Sequence, residues 1–413
     1  MQSEQKGIIS NPNLAPYIKQ SILAYQEADL LAAFYTGFCI SKGSKKWINL
    51  FPKPLQIYFN RRGFDEIHPK KLKTHSWPEI LRVLATRFSS VQLSDKLWEW
   101  AEKKFDNDVA QKLKPENVFF HGYEHACLDS LKRAKALGIV TFYEQPSQHH
   151  IFFTKIVSSQ LQKYPELGGV GANLLSNHKA ELRNQRRDEE LMLADYVICN
   201  STFTKNTLLA AHIDAKKIIM IPYGYPKIQP IEAKNPYIFR FIYAGNLSLR
   251  KGIHLLLAAW QLLPNDLSIT LTLVGSNQLP DAILENLPPK VRWIPNLPYE
   301  SAQLLIAESN VLVLPTLADG FGMVISESMA MGVPVLTTEA SAGPDLINNY
   351  VDGIVIPEDD VNAIKEAMLW CIFHQEECNQ MGKKAQKKAS AYPWSVYREN
   401  LVTEVKKRLN DKV

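Results

Sequence analysis

Short apolar runs alternate with longer amphipathic stretches along most of the chain, the signature of parallel strands joined by helices. The pattern predicts strands at Gly7–Ser10, Ala32–Thr36, Asn117–His121, Val140–Glu144 and Tyr196–Cys199. Helices are expected from Tyr17 to Ala28, behind the turn Asn11-Pro12-Asn13, and from Ala126 to Leu137. A charged helix is expected to close at Leu191–Ala194. Pro222, Pro226, Pro230 and Pro236 then fall within fifteen residues, too dense for a helix or a central strand. Beyond them the alternation restarts. Strands are predicted at Phe241–Ala244, Ile269–Val274, Val291–Ile294, Val311–Leu314, Val333–Leu336 and Gly353–Ile356, with a helix over Gly252–Leu263. A basic helix is expected from Tyr392-Pro393-Trp394 onward, Trp394 serving as its packing anchor.

Two such series imply an α/β protein of two Rossmann-like domains facing across a cleft. The boundaries read as 1–225 for the first domain, 226–236 for a linker, 237–391 for the second domain and 392–413 for a terminal helix that packs back on the first. The length of 413 residues agrees, because single cores rarely grow so large. Ligands of open α/β sheets bind outside the carboxyl ends of the strands, so the loops that follow strands are where chemistry is expected.

One stretch breaks the alternation. Between Lys42 and His75 nine Lys/Arg stand against Asp65 and Glu66, a local charge of +7 in a chain whose net is +5. Trp47, Phe51, Tyr58, Phe59 and Trp77 are interleaved with them. The segment reads as an insertion suited to an anionic membrane surface or an anionic acceptor, with a solvated face as the plain alternative. No nucleic-acid recognition motif accompanies it. A hydrophobic content of 46% with 22% charged residues excludes a disordered chain. Five scattered cysteines, without a C-x-x-C pair or zinc spacing, fit reduced thiols in a cytoplasmic protein. Met1–Lys6 carries no signal-peptide core, and no uncharged apolar run approaches the ~18–20 residues that span a bilayer. Membrane contact is therefore expected to be peripheral, at the inner face.

The stretch Ala318-Asp319-Gly320-Phe321-Gly322-Met323-Val324-Ile325-Ser326-Glu327 carries the most chemistry. A glycine turn presents one carboxylate at its entrance, and a second lies eight positions on, within an apolar helix. A buried carboxylate is costly unless it receives hydrogen bonds, and sugars are dense in hydroxyls. The same turn opens a helix, whose free N–H groups and dipole favour phosphate. Asp319 also reads as a simple helix N-cap, and Glu327 as a core acid paired with a base. The second constellation is Ala244-Gly245-Asn246-Leu247-Ser248-Leu249-Arg250-Lys251-Gly252. It follows a strand, Gly245 lets the backbone turn closely, and Arg250 and Lys251 set two cations where a diphosphate needs them.

From about Phe241 to Pro357 the chain resembles the donor domain of the retaining glycosyltransferases of family four (glycosyl transferases group 1), which have the B-type two-Rossmann-domain fold. The acids that family carries as E-x7-E stand here as Asp319-x7-Glu327. The resemblance reaches back through Glu190-x3-Ala194-Asp195 and Ser201 to Pro222-Tyr223-Gly224, where the family more often has Asn than Tyr. It implies that Arg250 and Lys251 hold the diphosphate of a nucleoside-diphosphate sugar. Asp319, the Gly320-Phe321-Gly322 amides and the helix start Met323-Val324 would hold the sugar. Glu327 would hold the ribose, with Gly245 and Gly275 beside the donor. It also implies retention of configuration, no cofactor and no metal, and a glycan or lipid-linked acceptor hydroxyl in polysaccharide or glycolipid synthesis. A nucleotide-sugar-binding protein without transfer activity, or a B-type epimerase or phosphorylase, are the alternatives.

The first half offers less. Ser10-Asn11-Pro12-Asn13-Leu14-Ala15-Pro16 stands where the family has a Gly-Gly loop and is expected to shape the acceptor pocket. In Gln145-Pro146-Ser147-Gln148-His149-His150, the resemblance assigns a donor-sugar contact to His149 ahead of His150 and places it with Arg250, Lys251 and Asp319 as the catalytic set. His121, Glu124 and His125 follow the preceding strand and read as structural or as acceptor-side groups. Gly343-Pro344-Asp345 reads as a turn before a short helix.

Overall fold

The computed structural model describes residues 6–40, 62–78, 91–168, 178–232 and 237–411, with 56, 81 and 234 between them. The stretches 42–55 and 57–61 of the basic segment, and 233, 235 and 236 of the expected linker, lie outside the described residues. Strands β1 (Gly7–Ser10), β2 (Leu31–Thr36), β3 (Leu72–Thr74), β4 (Phe119–Tyr123), β5 (Val140–Gln145), β6 (Tyr196–Cys199) and β7 (Ile218–Met220) form one parallel sheet in the order β3-β2-β1-β4-β5-β6-β7. Strands β8 (Phe239–Ala244), β9 (Ile269–Val274), β10 (Val291–Ile294), β11 (Val311–Leu314), β12 (Val335–Thr338) and β13 (Ile354–Ile356) form a second in the order β10-β9-β8-β11-β12-β13. The fold is α/β with two Rossmann-like sheets, as expected. Central strands such as β4, β5 and β11 are buried at every position, which is why they read as continuous apolar runs rather than as alternating ones. Each sheet reverses its strand order once, between β1 and β4 and between β8 and β11, and such switch points open a crevice for ligands.

β4 starts two residues later and β8 two residues earlier than expected, and the structure departs from the expected elements in four further places. Leu72–Thr74, inside the presumed insertion, is the edge strand of the first sheet and pairs Leu72 with Phe34 and Thr74 with Thr36. Its Leu-Lys-Thr sequence carries no periodic signal, because two of its three side chains are exposed. A long helix, Val91–Ala110, was not anticipated at all. Its Asp95, Glu99, Glu102 and Asp106 share one face at helical spacing and turn inward, so the inner face looks polar in sequence. Strand β7 was too short to register. Strand β12 begins two residues later than expected, since Pro334 has no N–H to give and Val333 N–H closes a turn on Ser328 O at 3.0 Å.

The acidic face of helix Val91–Ala110 meets basic residues of helix His178–Leu193. Arg183 lies 2.6 Å from Asp95 and 3.6 Å from Glu99, and Arg186 lies 2.5 Å from Asp106. Asp106, fully buried, also takes the N–H groups of Asp129 and Ser130 at 2.7 and 3.0 Å, capping helix Leu128–Ala136. Glu190 takes those of His125 and Cys127, at 2.6 and 3.1 Å. Two carboxylates thus satisfy the orphan donors at that helix start.

The chain crosses between the halves twice, side by side. Tyr225 N–H donates to Tyr392 O at 2.9 Å, and Gly224 packs so tightly on Trp394 that a Cβ there would lie 2.5 Å from its Cα. The last helix, Trp394–Asn410, then lies on helix Pro16–Glu27 through Ser21–Tyr397 at 2.9 Å and Arg398–Glu27 at 2.8 Å. Removing one partner of a buried, hydrogen-bonded ion pair leaves the other charge uncompensated. Asp106→Ala is therefore expected to cost about 3–5 kcal/mol, read as a lowered thermal midpoint of the full chain, whereas Glu99→Ala, whose carboxylate keeps partial contact with solvent, costs less, about 1 kcal/mol.

Candidate functional site

The two predicted constellations of the second half meet at the β8/β11 switch point. After β8 the chain turns through Gly245 to a short helical turn, Leu249–Lys251. The Arg250 carbonyl accepts from Leu317 N–H at 2.8 Å, Ala318 N–H at 3.1 Å and Thr316 Oγ1 at 3.0 Å. The loop after β11 is thereby laced to the loop after β8 before any side chain is counted. Arg250 Nη1 also donates to Ala318 O at 3.0 Å.

On that frame Lys251 Nζ bonds directly to Asp319 Oδ2, and Arg250 Nη1 lies 3.8 Å from Asp319 Oδ1. Burial pushes the Asp319 carboxyl up, but Lys251, Arg250 and the Gly322 N–H outweigh it and hold the group below its usual range. Burial lowers Lys251, with Asp319 opposing that shift. The cluster is an ionised pair with a second cation beside it. Asp319 is not the N-cap of helix Met323–Ala330; Gly322 occupies that position in the left-handed conformation, φ 73°. Gly275, at the end of β9, has φ 141°, and a Cβ there would lie 1.9 Å from the Gly245 carbonyl. Gly245 and Gly275 are thus brought together, the missing side chain of Gly275 making room for the turn at Gly245. Met323 and Val324 open the helix half-buried, and Glu327 one turn on is also half-buried. Its Oε1 accepts from Tyr299 OH at 3.0 Å, and burial raises its carboxyl above the ordinary range. The partner is a phenol, not the base that a structural core acid would have.

The opposite wall comes from the first half. Gly320 packs against the end of β5, and a Cβ on it would lie 2.3 Å from Pro146 O. Ser201 donates its hydroxyl to Gly320 O, with Thr204 Oγ1 at 3.3 Å from the same atom. Gly343-Pro344-Asp345 is not a turn before a helix but part of the short helix Gly343–Leu346 after β12, from which Asp345 accepts Thr202 N–H at 2.7 Å and so reaches across to the other half. Phe321 lies on Tyr223 with ring centroids 5.0 Å apart.

His149 follows this wall but aims its ring elsewhere. Its Nε2 lies 3.3 Å from Asp188 Oδ1, and His150 Nε2 lies 2.6 Å from the same oxygen. His149 Nδ1 accepts Ile151 N–H at 3.3 Å, which makes Nε2 the protonated nitrogen and Asp188 its acceptor. The donor atoms of these three residues lie within 4.8 Å of one another, but the protonated Nε2 makes a hydrogen-bonded trio of them. His121 is fully buried against Tyr25 OH at 3.0 Å and Glu144 at 3.2 Å. His125, at φ 70°, bonds Glu102 at 2.7 Å and stacks on Trp98. Glu124 is tied to Ser147 at 3.0 Å and Arg187 at 3.1 Å.

The structure therefore brings Arg250, Lys251 and Asp319 together with Gly320 beside them, ties Glu327 to Tyr299 farther along the helix, and adds Pro146, Ser201, Thr204 and Asp345, to which the sequence gave no role here. Ser201 entered only as one of the residues that carry the family resemblance, without an assigned role. Asp106-Asn107-Asp108 spells an Asp-x-Asp triplet, and its acids serve Arg186 and a helix start, and Lys104, respectively.

The glycosyl transferases group 1 family matches the chain over residues 226–388. O-antigen chain mannosyltransferase B of Escherichia coli is 32% identical over 136 residues, which cover 31% of this chain and 35% of that protein. The amylovoran biosynthesis glycosyltransferase AmsK of Erwinia amylovora is 25% identical over 212 residues, covering 48% of this chain and 51% of that one. The matched stretches thus span about half or less of these relatives. Two solved structures share the fold over nearly the whole chain. Anabaena Alr3699/HepE in complex with UDP-glucose has a TM-score of 0.61 at 16% identity, covering 97% of this chain and 99% of its own. TarM has a TM-score of 0.63 at 12% identity, covering 99% of both chains.

Three buried histidines set a pH dependence, only partly opposed by Glu190, which burial raises to about 8; burial pushes the first, His125, down to about 3. Burial, with His150 adding to it, pushes His149 down to about 4, and burial pushes His254, which bonds Gln160 of the first half at 2.9 Å, down to about 4. Between about pH 6.5 and 4 the unfolded chain takes up these protons and the folded chain does not, so stability rises with pH across that window. The thermal midpoint is expected to fall steadily on acidification from pH 6.5 to 4.5, and His254→Gln is expected to flatten part of that slope.

Proposed function

Residues 226–388 form a glycosyl transferases group 1 domain, and on that premise we propose that the chain is a retaining glycosyltransferase. It moves a sugar from a nucleoside diphosphate to an acceptor hydroxyl of a glycan or lipid-linked saccharide. The observation that carries the reading is the Arg250–Lys251–Asp319 cluster at the β8/β11 switch point, closed from the other side by Pro146 and Ser201.

Arg250 and Lys251 receive the diphosphate. Negative charge grows there as the glycosidic bond breaks, and two cations fixed in a buried site stabilise it more than water does. Lys251 then exchanges Asp319 for phosphate oxygens, and the freed carboxylate accepts from the sugar hydroxyls. Glu327, with Tyr299 beside it, accepts from the ribose, while Gly245 and Gly275 let the nucleoside approach the backbone. The His149 ring is turned to Asp188, so a contact with the sugar requires it to swing away from that acceptor when the donor binds. The acceptor attacks from the face the diphosphate leaves, and contact between the halves excludes water that would hydrolyse the donor. The charge on the leaving group is met by side chains, so the reaction needs no metal in this reading.

The relatives named for the O-antigen chain and for amylovoran biosynthesis favour polysaccharide assembly, and we propose the cytoplasm or the inner face of a membrane as its setting. Among the described residues no helix is long and apolar enough to cross a membrane. Peripheral contact is supported by exposed Trp77 and Trp100, packed edge to face at 5.4 Å, with Lys96, Lys103 and Lys104 near Trp100.

The test is a thermal-shift screen with nucleotide sugars followed by donor-consumption and transfer assays. A donor that raises the midpoint and is consumed with release of its nucleoside diphosphate supports the reading. Binding without consumption over hours points to a binding protein, and isomerisation without acceptor to an epimerase. Arg250→Ala and Lys251→Ala are each expected to lower turnover roughly 100-fold or more, the scale of losing one transition-state donor. Near-normal rates in both variants remove their assigned role.

A further inference from the structure

The loop that carries Asp319 is held from outside its own domain. Ser201 gives its hydroxyl proton to the Gly320 carbonyl, and Thr204 Oγ1 lies 3.3 Å from that same oxygen. Asn200, one residue earlier, donates to Pro146 O at 2.8 Å, the carbonyl on which Gly320 packs. A trans peptide is planar, with its C=O and N–H pointing in opposite directions. Drawing the Gly320 carbonyl toward Ser201 therefore turns the Phe321 N–H away from the first half. Its neighbours are committed, Asp319 N–H to Ala340 O at 3.0 Å and Gly322 N–H to the Asp319 carboxylate. The Phe321 N–H makes no backbone hydrogen bond among the described residues. Glycines on both sides of Phe321 leave this peptide free to rotate unless something outside the loop fixes it.

We propose that Ser201 is a positioning residue for the donor site. Its hydroxyl sets the Gly320–Phe321 peptide so that the Phe321 N–H faces an anionic oxygen of a bound nucleoside diphosphate. The inference rests on the functional reading above and adds a dependence to it. The amide is aligned only while the two halves touch, so closure of the molecule and completion of the anion site are one event.

Ser201 has a second task, which the test must separate. Its Oγ accepts Thr204 N–H at 3.0 Å and so caps helix Thr202–Ala210. Ser201→Ala removes both roles, Ser201→Thr keeps both, and Ser201→Asp keeps the cap acceptor but has no proton for the Gly320 carbonyl. The full chain and each variant are compared by thermal midpoint, by the midpoint shift with UDP, GDP, ADP, dTDP and CDP, and by the kinetics of consuming the corresponding nucleotide sugars. Expected are a Ser201→Thr variant close to wild type and a Ser201→Asp variant that still folds but melts lower, because its carboxylate is buried against the Gly320 carbonyl. Ser201→Asp and Ser201→Ala should both lose roughly 10–100-fold in kcat, less than removal of an oxyanion-type donor, while donor KM moves less than about threefold. A Ser201→Asp variant as active as Ser201→Thr overturns the proposal, since the cap alone then accounts for Ser201. If no nucleoside diphosphate shifts the wild-type midpoint and no nucleotide sugar is consumed, the functional reading fails and the proposal falls with it. A shifted and active wild type with an unimpaired Ser201→Asp sinks the proposal and leaves that reading standing.

Discussion

A lysine and an aspartate meet inside the second sheet's switch point, and most of what surrounds them follows from holding that pair. Neither charge is stable alone at such depth, so their loops must be fixed before the side chains can meet. The backbone does this first. One carbonyl, that of Arg250, collects two N–H groups and a hydroxyl from the loop after β11. The pair then needs only two rotamers to form. Because each ion is already compensated, the site holds its charges ready without ligand, and an incoming diphosphate exchanges one anion for another instead of desolvating a bare cation. That exchange is the physical basis for reading the cluster as a donor site.

The same loop is also where the two halves touch. Gly320 lies against Pro146, Ser201 and Thr204 hold its carbonyl, and Asp345 reaches across to the start of helix Thr202–Ala210. Phe321 extends the contact into an aromatic stack. Its ring lies on Tyr223, which stacks on Tyr17 at 4.9 Å and donates to Glu144 at 2.8 Å. Tyr223 stands two residues before the point where the chain pairs with its own returning segment at Tyr392 and Pro393. The donor loop, the wall of the first half and the chain crossings are therefore one packed unit, and a change at any of them reaches the others through direct contact.

The strands of both sheets were legible because strands buried on both faces must be apolar at nearly every position, and that constraint is local. Strands β1, β6, β9, β10 and β11 fall where the apolar runs place them. Helix Val91–Ala110 was not legible for the converse reason. Its inner face carries Asp95, Glu99, Glu102 and Asp106, acceptable inside only because Arg183, Arg186 and a helix start 20 residues or more along the chain supply partners. Nothing within a local window distinguishes such a face from a solvated one. Edge strand β3 was hidden likewise, since an exposed Lys and Thr carry no burial signal.

The chain's own residues determined that two parallel sheets form, that a glycine turn with an acid follows β11, and that two cations follow β8, because each depends on residue type within a few positions. The resemblance placed those loops in one donor site, but nothing in the sequence gave Asp319 or His149 a protein partner. Only the tertiary structure decided that Lys251 pairs with Asp319, that His149 turns to Asp188, and that Ser201 holds the Gly320 carbonyl. Each of these joins residues from different loops, and the reason is geometric: a hydrogen bond or ion pair requires separations of a few ångströms, which strand order and the packing of the two halves set and no local pattern encodes.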